Sequence, residues 1–355
     1  MKHQGFIDWM KASGMLLIII GHVVGSPYHI FNMVSQPVYS KQLGVCFFIF
    51  VMGWSLANEN RTSFKVVFDR VFPVYFYGIL IAVLLSSIYI FTKNDINESN
   101  YLPFFLGINV FFNNFPANPT TWYIGTYLHI LLFWYFFIQN REIKKSHIFS
   151  AFLIENLIRS TLIATDNSFI AYMLLPNWLT VFMLGSYLHK KKDTCWQPKT
   201  IYLIIIWLTA LGIWASPLNH LSWDKSFPFR ALLSTEAWAL PLRSLLISIV
   251  YLGNTFVCFE IFRRLPKLNI VAFFAHNSLI TFIIHMPLIY AFSGNIYSLF
   301  DSFWAQRLSI VIILFIGLAI ISEFIQKRIN MKYYQNKTWD MTSRLYKHLF
   351  KRNSH

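Results

Sequence analysis

Long apolar runs separated by short polar segments recur along the whole chain, with neither the two-residue alternation of a half-buried strand nor the one-sided stripe of a soluble helix. Runs of about 20 residues, enough to cross the hydrocarbon of a bilayer as a helix, fall near 10–28, 40–58, 71–92, 121–139, 147–166, 169–189, 200–217, 238–262, 268–292 and 304–325. The pattern predicts an all-α polytopic membrane protein of about ten transmembrane helices. A further apolar segment, 102–114, is short and bounded by Pro103 and by Asn113, Asn114 and Pro116. It is expected to be re-entrant or interfacial rather than to cross.

Basic residues test the order of these spans, since cytoplasmic segments are enriched in Lys and Arg. With the N-terminus inside, the inner segments hold Arg61, Lys65 and Arg70; Arg141, Lys144 and Lys145; Lys190, Lys191, Lys192 and Lys199; Arg263, Arg264 and Lys267; and eight basic residues after position 326. The outer segments carry only Lys41, Lys93, Lys225 and Arg230. The alternation holds only if 102–114 does not cross, and it places both termini in the cytoplasm. A membrane domain is thus expected over 1–326, followed by a basic cytoplasmic tail over 327–355. The tail is open to two readings, a helix on the inner membrane surface or a solvated extension.

Composition agrees with the pattern. Of 355 residues, 56% are hydrophobic and 13% charged, about half the charge of a soluble domain. Mean hydropathy is +0.48. The formal net charge of +15 sits in short clusters between apolar segments, so it reads as a topology signal and not as a nucleic-acid patch. Cys46, Cys195 and Cys258 lie far apart, with no Cys or His at ligand spacing, and indicate neither a disulfide framework nor a metal site. Lys2 and Lys11 before an apolar run resemble a signal peptide, but Asp8 interrupts the basic region and no small-residue cleavage site follows.

The first span holds the clearest candidate chemistry. Lys11 and His22 are eleven residues apart, about three helical turns, so they share one face roughly 16 Å apart along the axis. Asp8 lies one turn before Lys11, and Gly14, Gly21 and Gly25 would permit close helix packing. Ionisable groups in hydrocarbon are costly and usually face a cavity or partner. Lys11 alone is equally well read as a lysine snorkelling to the interface; the pair on one stripe favours function. A neutral imidazole suits removal of a proton from a hydroxyl that attacks an acyl group, and a cation near the inner face suits the phosphates of a cytoplasmic donor.

At these residues the chain resembles a known family. Asp8-Trp9-Met10-Lys11, then ten residues and His22-Val23, resembles the Lys/Arg-x10-His signature in the first helix of the acyltransferase-3 family of bacterial membrane O-acyltransferases. In order along the chain, Phe47 to Gly53 resembles its phenylalanine-rich stretch, Phe68 to Pro73 its basic Arg-x-x-Pro loop, Thr121 to Ile124 its Trp-containing element, and Asn277-Ser278-Leu279 through His285-Met286-Pro287 its late Ser-Leu…His element. Lys11 stands where many members carry Arg, and Val67 occupies the first position of an inner Arg-x-x-Arg, so only Arg70 carries over there. The resemblance implies a multi-pass protein of the bacterial inner membrane that moves an acyl group, usually acetyl, from cytoplasmic acyl-CoA to a hydroxyl of a surface glycan or its lipid-linked precursor. His22 would be base or acyl relay, and Lys11 and Arg70 would hold the CoA end.

Other residues have competing readings. His285, at a depth comparable to His22, is more simply a structural histidine before a Pro287 bend than an acceptor-site group, and His129 and His276 are read likewise. Glu155 and Arg159, at i,i+4 with the acid first, suit a packing ion pair before a substrate contact. Trp122 and Tyr123 fit a sugar-stacking platform and an aromatic belt equally. A transporter or flippase of a lipid-linked sugar is the second functional class; it predicts repeated halves with paired Gly/Pro-broken helices, and the sequence displays neither. A glycan polymerase would need a longer outer loop than 218–237, and a scaffold leaves the Lys11–His22 stripe unexplained.

Overall fold

The structure is a computed structural model describing residues 4–23, 37–92, 98–190, 239–297, 299 and 303–350, with 201–202, 205 and 208–209. The described residues form helices and no strand. In chain order the helices are α1 (Gly5–Val23), α2 (Pro37–Ala57), α3 (Lys65–Thr92), α4 (Tyr101–Phe105), α5 (Asn109–Phe112), α6 (Trp122–Phe133), α7 (Lys145–Ala164), α8 (Ser168–Met173), α9 (Leu179–Lys190), α10 (Ala239–Phe262), α11 (Asn269–Tyr297), α12 (Phe303–Arg328) and α13 (Met331–Phe350).

Seven stretches are long and apolar enough to cross a membrane: Ser40–Ala57, Lys65–Phe91, Pro119–Ile138, Lys145–Ala164, Ala239–Phe262, Asn269–Ile289 and Leu308–Arg328. The chain is a multi-pass membrane protein. Three of the ten expected spans are not among the seven, for different reasons. The run 200–217 and the outer segment 218–237 lie almost wholly outside the described residues, as do Lys93, Lys191, Lys192, Cys195, Lys199, Lys225, Arg230 and Gly25. The run 10–28 continues past the described residues, which stop at Val23; α1 covers its first part and carries Asp8, Lys11 and His22. Those polar groups are accommodated because α1 packs against α2, α10, α11 and α12, inside the bundle.

The run 169–189 is a correction: the expected continuous span is broken. α8 stops at Met173, Leu174 is extended, and a short 3₁₀ turn Leu175–Trp178 leads into α9. The cause is Pro176, which has no N–H to donate and biases the residues before it away from the helical region. Hydropathy hides the break because every residue around it except Asn177 is apolar. The segment 102–114 contains only α4 and α5, of 5 and 4 residues, joined through Gly107 at φ +71°.

Prolines inside the long helices are compensated from neighbouring elements. A helix-interior proline leaves the carbonyl four residues earlier without its donor. Pro287 in α11 thereby frees the Ile283 carbonyl, which accepts from Asn118 Nδ2 at 2.7 Å and Thr120 Oγ1 at 3.0 Å. Pro73 in α3 frees the Asp69 carbonyl, which accepts from Gln335 Nε2 of α13 at 3.0 Å. Trp339 packs on Phe68, and the Lys65 ammonium lies 5.5 Å over the Trp339 ring. The helix at 331–350 is therefore docked on α3, and Lys327 and Arg328 close α12.

Close approach of helices fixes the remaining geometry. A Cβ on Gly53 of α2 would run into the Phe182 carbonyl of α9, and one on Gly185 into the Phe50 carbonyl, so the two backbones touch where neither has a side chain. Gly14 faces Gly44 in the same way, holding α1 on α2 and the Lys11 face toward the cavity described next.

Candidate functional site

Lys11 of α1 and Arg70 of α3 line one cavity of about 310 Å³, together with Tyr123 and Tyr127 of α6, Ser278 and Phe282 of α11, and an apolar wall from α2 that includes Phe48 and Met52. The two cations come from helices separated by the whole of α2, so only the packing brings them together. Arg70 enters through the first turns of α3, beside Pro73, where its neighbours are acidic. Its Nη2 donates to Glu59 at 3.3 Å, while its Nε is buried with no hydrogen-bond partner. Glu59 in turn accepts from Arg61 at 2.9 and 3.0 Å. Arg61 also reaches Asp69 at 3.0 Å, and Lys65 reaches it at 2.8 Å. The Arg61 side chain first, then its backbone N–H and Arg70, hold the Glu59 carboxyl down at about 2, against a smaller opposing push from burial.

An unpartnered buried guanidinium N–H beside a lysine is the arrangement an anionic ligand would complete. Across the cavity, Phe282 supplies both a wall and a link: its ring lies 4.8 Å from Tyr123 and 5.5 Å from His285. His285 is fully buried, and its ring centroid is 5.0 Å from that of His22. Lys41 of α2 is near enough to act electrostatically on both imidazoles. The molecule thus has a cationic cavity at one level of α1 and a histidine pair further along the same helix, with Phe282 at the junction.

The residues singled out in the sequence divide accordingly. Lys11, Arg70 and Tyr123 share the cavity; His22 and His285 pair beyond it. Asp8 lies one turn before Lys11 and does not line the cavity. Trp122 faces away into an aromatic cluster, 4.9 Å from Tyr172 and 6.3 Å from Trp178. His276 is exposed and His129 packs against Phe111.

Glu155 and Arg159 are buried elsewhere, where they cross-link α7, the break before α9, and α10. Arg159 Nε donates to Asn177 Oδ1 at 2.7 Å, Nη1 to the Ser244 carbonyl at 2.9 Å and Ser248 Oγ at 2.8 Å, and Nη2 to Glu155. Glu155 also accepts from Ser248 Oγ at 2.7 Å and the Thr180 N–H at 3.1 Å.

Tyr127, Ser278, Phe282, Glu59 and Lys41 were not anticipated as site residues. Signals existed for three of them. Tyr127 is four residues from Tyr123, and Ser278, Phe282 and His285 follow the i, i+4, i+7 spacing of one helix face. Charge counting places Lys41 in an outer segment because it reads sequence order and not depth, whereas Lys41 belongs to α2. Among the described residues no group of three His, Cys, Asp or Glu side chains could hold a metal, and Cys46 and Cys258 are free thiols.

Comparison with curated proteins and with solved structures returns no significant match. Comparison with protein families matches residues 4–322 to acyltransferase-3, described as an acyltransferase domain, and the match covers nearly the whole chain. The cationic cavity and the histidine pair lie within that match, and the chain belongs to this acyltransferase family.

Proposed function

We propose that the protein transfers an acyl group, acetyl in the simplest case, from cytoplasmic acyl-CoA to a hydroxyl of a surface glycan or its lipid-linked precursor on the outer side of a bacterial inner membrane. One observation carries the reading: the Lys11–Arg70 cavity and the His22–His285 pair lie at different levels of α1, joined through Phe282. Lys11 and the Arg70 guanidinium would bind the donor phosphates, with the thioester end extending past Phe282. His22 would take the acceptor's hydroxyl proton as the new C–O bond forms and the C–S bond breaks, then give that proton to the leaving sulfur. Tyr123 and Tyr127 line the same cavity. The Lys/Arg alternation would put the Lys11 end of α1 and both termini in the cytoplasm, the side from which acyl-CoA would enter.

A transporter of a lipid-linked sugar is the second reading, and the broken helix α8–α9 is the observation that favours it. Its break is filled, however: the Asn177 side-chain oxygen accepts from Arg159 Nε, and its Nδ2 donates to the Tyr172 carbonyl. The two readings separate on His22→Ala in the intact cell. Mass spectrometry of the surface glycan should show loss of one acyl mass per modified sugar with polymer amount unchanged. Unchanged acylation with reduced export would overturn acyl transfer.

A further inference from the structure

His285 has a feature that a purely structural histidine does not explain. Its Nδ1 bonds the Phe282 carbonyl one turn earlier, and a carbonyl only accepts, so in the neutral ring Nδ1 carries the proton. Nε2 is then a lone-pair acceptor, and it is buried with no hydrogen-bond partner. Buried acceptors are rarely left open unless something is meant to reach them.

What faces His285 is His22, with ring centroids 5.0 Å apart and planes inclined at 54°. A ring nitrogen lies about 1 Å from its centroid, so a His22 N–H turned toward Nε2 would make an N–H···N bond of about 3 Å. The rings come from different helices, α1 and α11, and α11 is pinned at this height by the Asn118 and Thr120 bonds to the Ile283 carbonyl. His285 is therefore held in place independently of His22.

We propose that His285 is a positioning residue for His22: its Nε2 accepts one N–H of His22, fixes His22 in a single tautomer, and leaves the other His22 nitrogen free as the base. When that nitrogen takes the hydroxyl proton, the bond to Nε2 becomes charge-assisted and steadies the imidazolium. The proton then leaves to the departing sulfur, and His22 returns to the same tautomer. His285 is neither consumed nor protonated. Its contribution to turnover rests on the acyl-transfer reading above; the tautomer of His22 does not.

The test has two arms on the full chain in lipid nanodiscs. In the first, ¹⁵N-histidine NMR reads the tautomer of His22, assigned by its loss in His22→Gln. A single tautomer is expected, giving way to a mixture in His285→Phe. A mixture already in the wild-type protein, or an unchanged tautomer in His285→Phe, overturns the proposal. In the second, CoA release from acetyl-CoA is followed with isolated glycan-bearing membranes as acceptor. His285→Phe should lower kcat about 10- to 100-fold, the usual cost of removing an orienting partner, with the KM for acetyl-CoA unchanged. His285→Gln, whose side-chain carbonyl can accept the same N–H, should recover most of the rate. Equal loss in both variants, or a loss carried by KM, overturns the positioning role. Wild-type protein that releases no CoA would sink the acyl-transfer reading while the NMR arm still decides the pairing.

Discussion

Arg159 and Arg70 are both cations inside an apolar bundle, and their surroundings are opposite. Arg159 is met on every side: a carboxylate, an amide oxygen, two backbone carbonyls and two hydroxyls take its hydrogens, and the Tyr251 ring lies 5.6 Å from its charge centre. Arg70, which lines the cavity shared with Lys11, is held by one edge, through Glu59, and its buried Nε has no partner. The same contrast separates Asn177, whose amide group is hydrogen-bonded at both ends, from His285, whose Nε2 has no partner. A polar group with its partners already in place braces the fold; one left open awaits a ligand or a reacting partner. This bundle holds both kinds, and the proposed chemistry uses the second.

The sharpest way to break that division is to remove one member from each side. His22→Ala should cut acyl transfer about 10²- to 10⁴-fold, the range expected for loss of a positioned base, with no change in unfolding temperature. Glu155→Leu should do the reverse. It strands Arg159 as an uncompensated buried charge, at a cost of about 3–5 kcal/mol, seen as a lowered unfolding temperature in detergent and poor recovery of folded protein. Replacing both, Glu155→Leu with Arg159→Met, should restore much of the stability, because no lone charge remains. Stable but inactive Glu155→Leu protein would move Arg159 to the catalytic side and dissolve the contrast.

Between these extremes lies Asn118, which braces the fold but does so next to the site. Asn118→Leu leaves the Ile283 carbonyl with Thr120 as its remaining side-chain donor. A loss of about 1–3 kcal/mol is expected for an under-satisfied buried carbonyl, with a smaller fall in transfer as α11 loosens around His285. Thermal unfolding and turnover measured on the same preparation would show whether the two losses go together. Lost turnover at full stability would place Asn118 in the site itself.

The open side of this comparison was only partly legible in the sequence. The Lys11–His22 stripe could be read because it lies on one helix, where eleven residues make three turns. That Arg70 shares a cavity with Lys11 follows from no spacing; the family resemblance implies that the two act together, and the packing of α3 against α6 and α11 sets Arg70 on the same cavity as Lys11. Trp122 and Tyr123 show the limit within a single helix. As neighbours they point about 100° apart, so one enters the Tyr172–Trp178 cluster and the other lines the cavity. The braced side was more predictable: the i,i+4 spacing of Glu155 and Arg159 already specified the pair. Its further partners, Ser244 and Ser248 of α10 and Asn177 at the broken helix, come from distant segments. The break itself was signalled by Pro176 and masked by the hydropathy of its neighbours.

The smallest expected effect is also the one that joins the two kinds of group. Glu59 closes its side of Arg70 as Glu155 does for Arg159, but at a surface where its other partner, Arg61, is exposed. Its carboxyl sits at about 2, below an ordinary 4.5. A depressed carboxyl stabilises the fold wherever it is ionised in the folded state and would be so in the unfolded one. Its contribution is therefore complete above about pH 4.5 and fades as pH falls toward 2. Glu59→Gln should show a stability deficit at neutral pH that is constant down to about pH 5 and disappears by about pH 2. The size should stay within about 1 kcal/mol, since pairs open to solvent are screened. Unfolding temperature measured against pH for both proteins would read it. At neutral pH the same variant frees the Arg70 guanidinium from its one carboxylate, so the KM for an anionic donor should shift while kcat holds. A deficit that persists unchanged at pH 2 would mean that Glu59 acts by packing and not by charge, and Arg70 would then be poised by the shape of the α2–α3 turn alone.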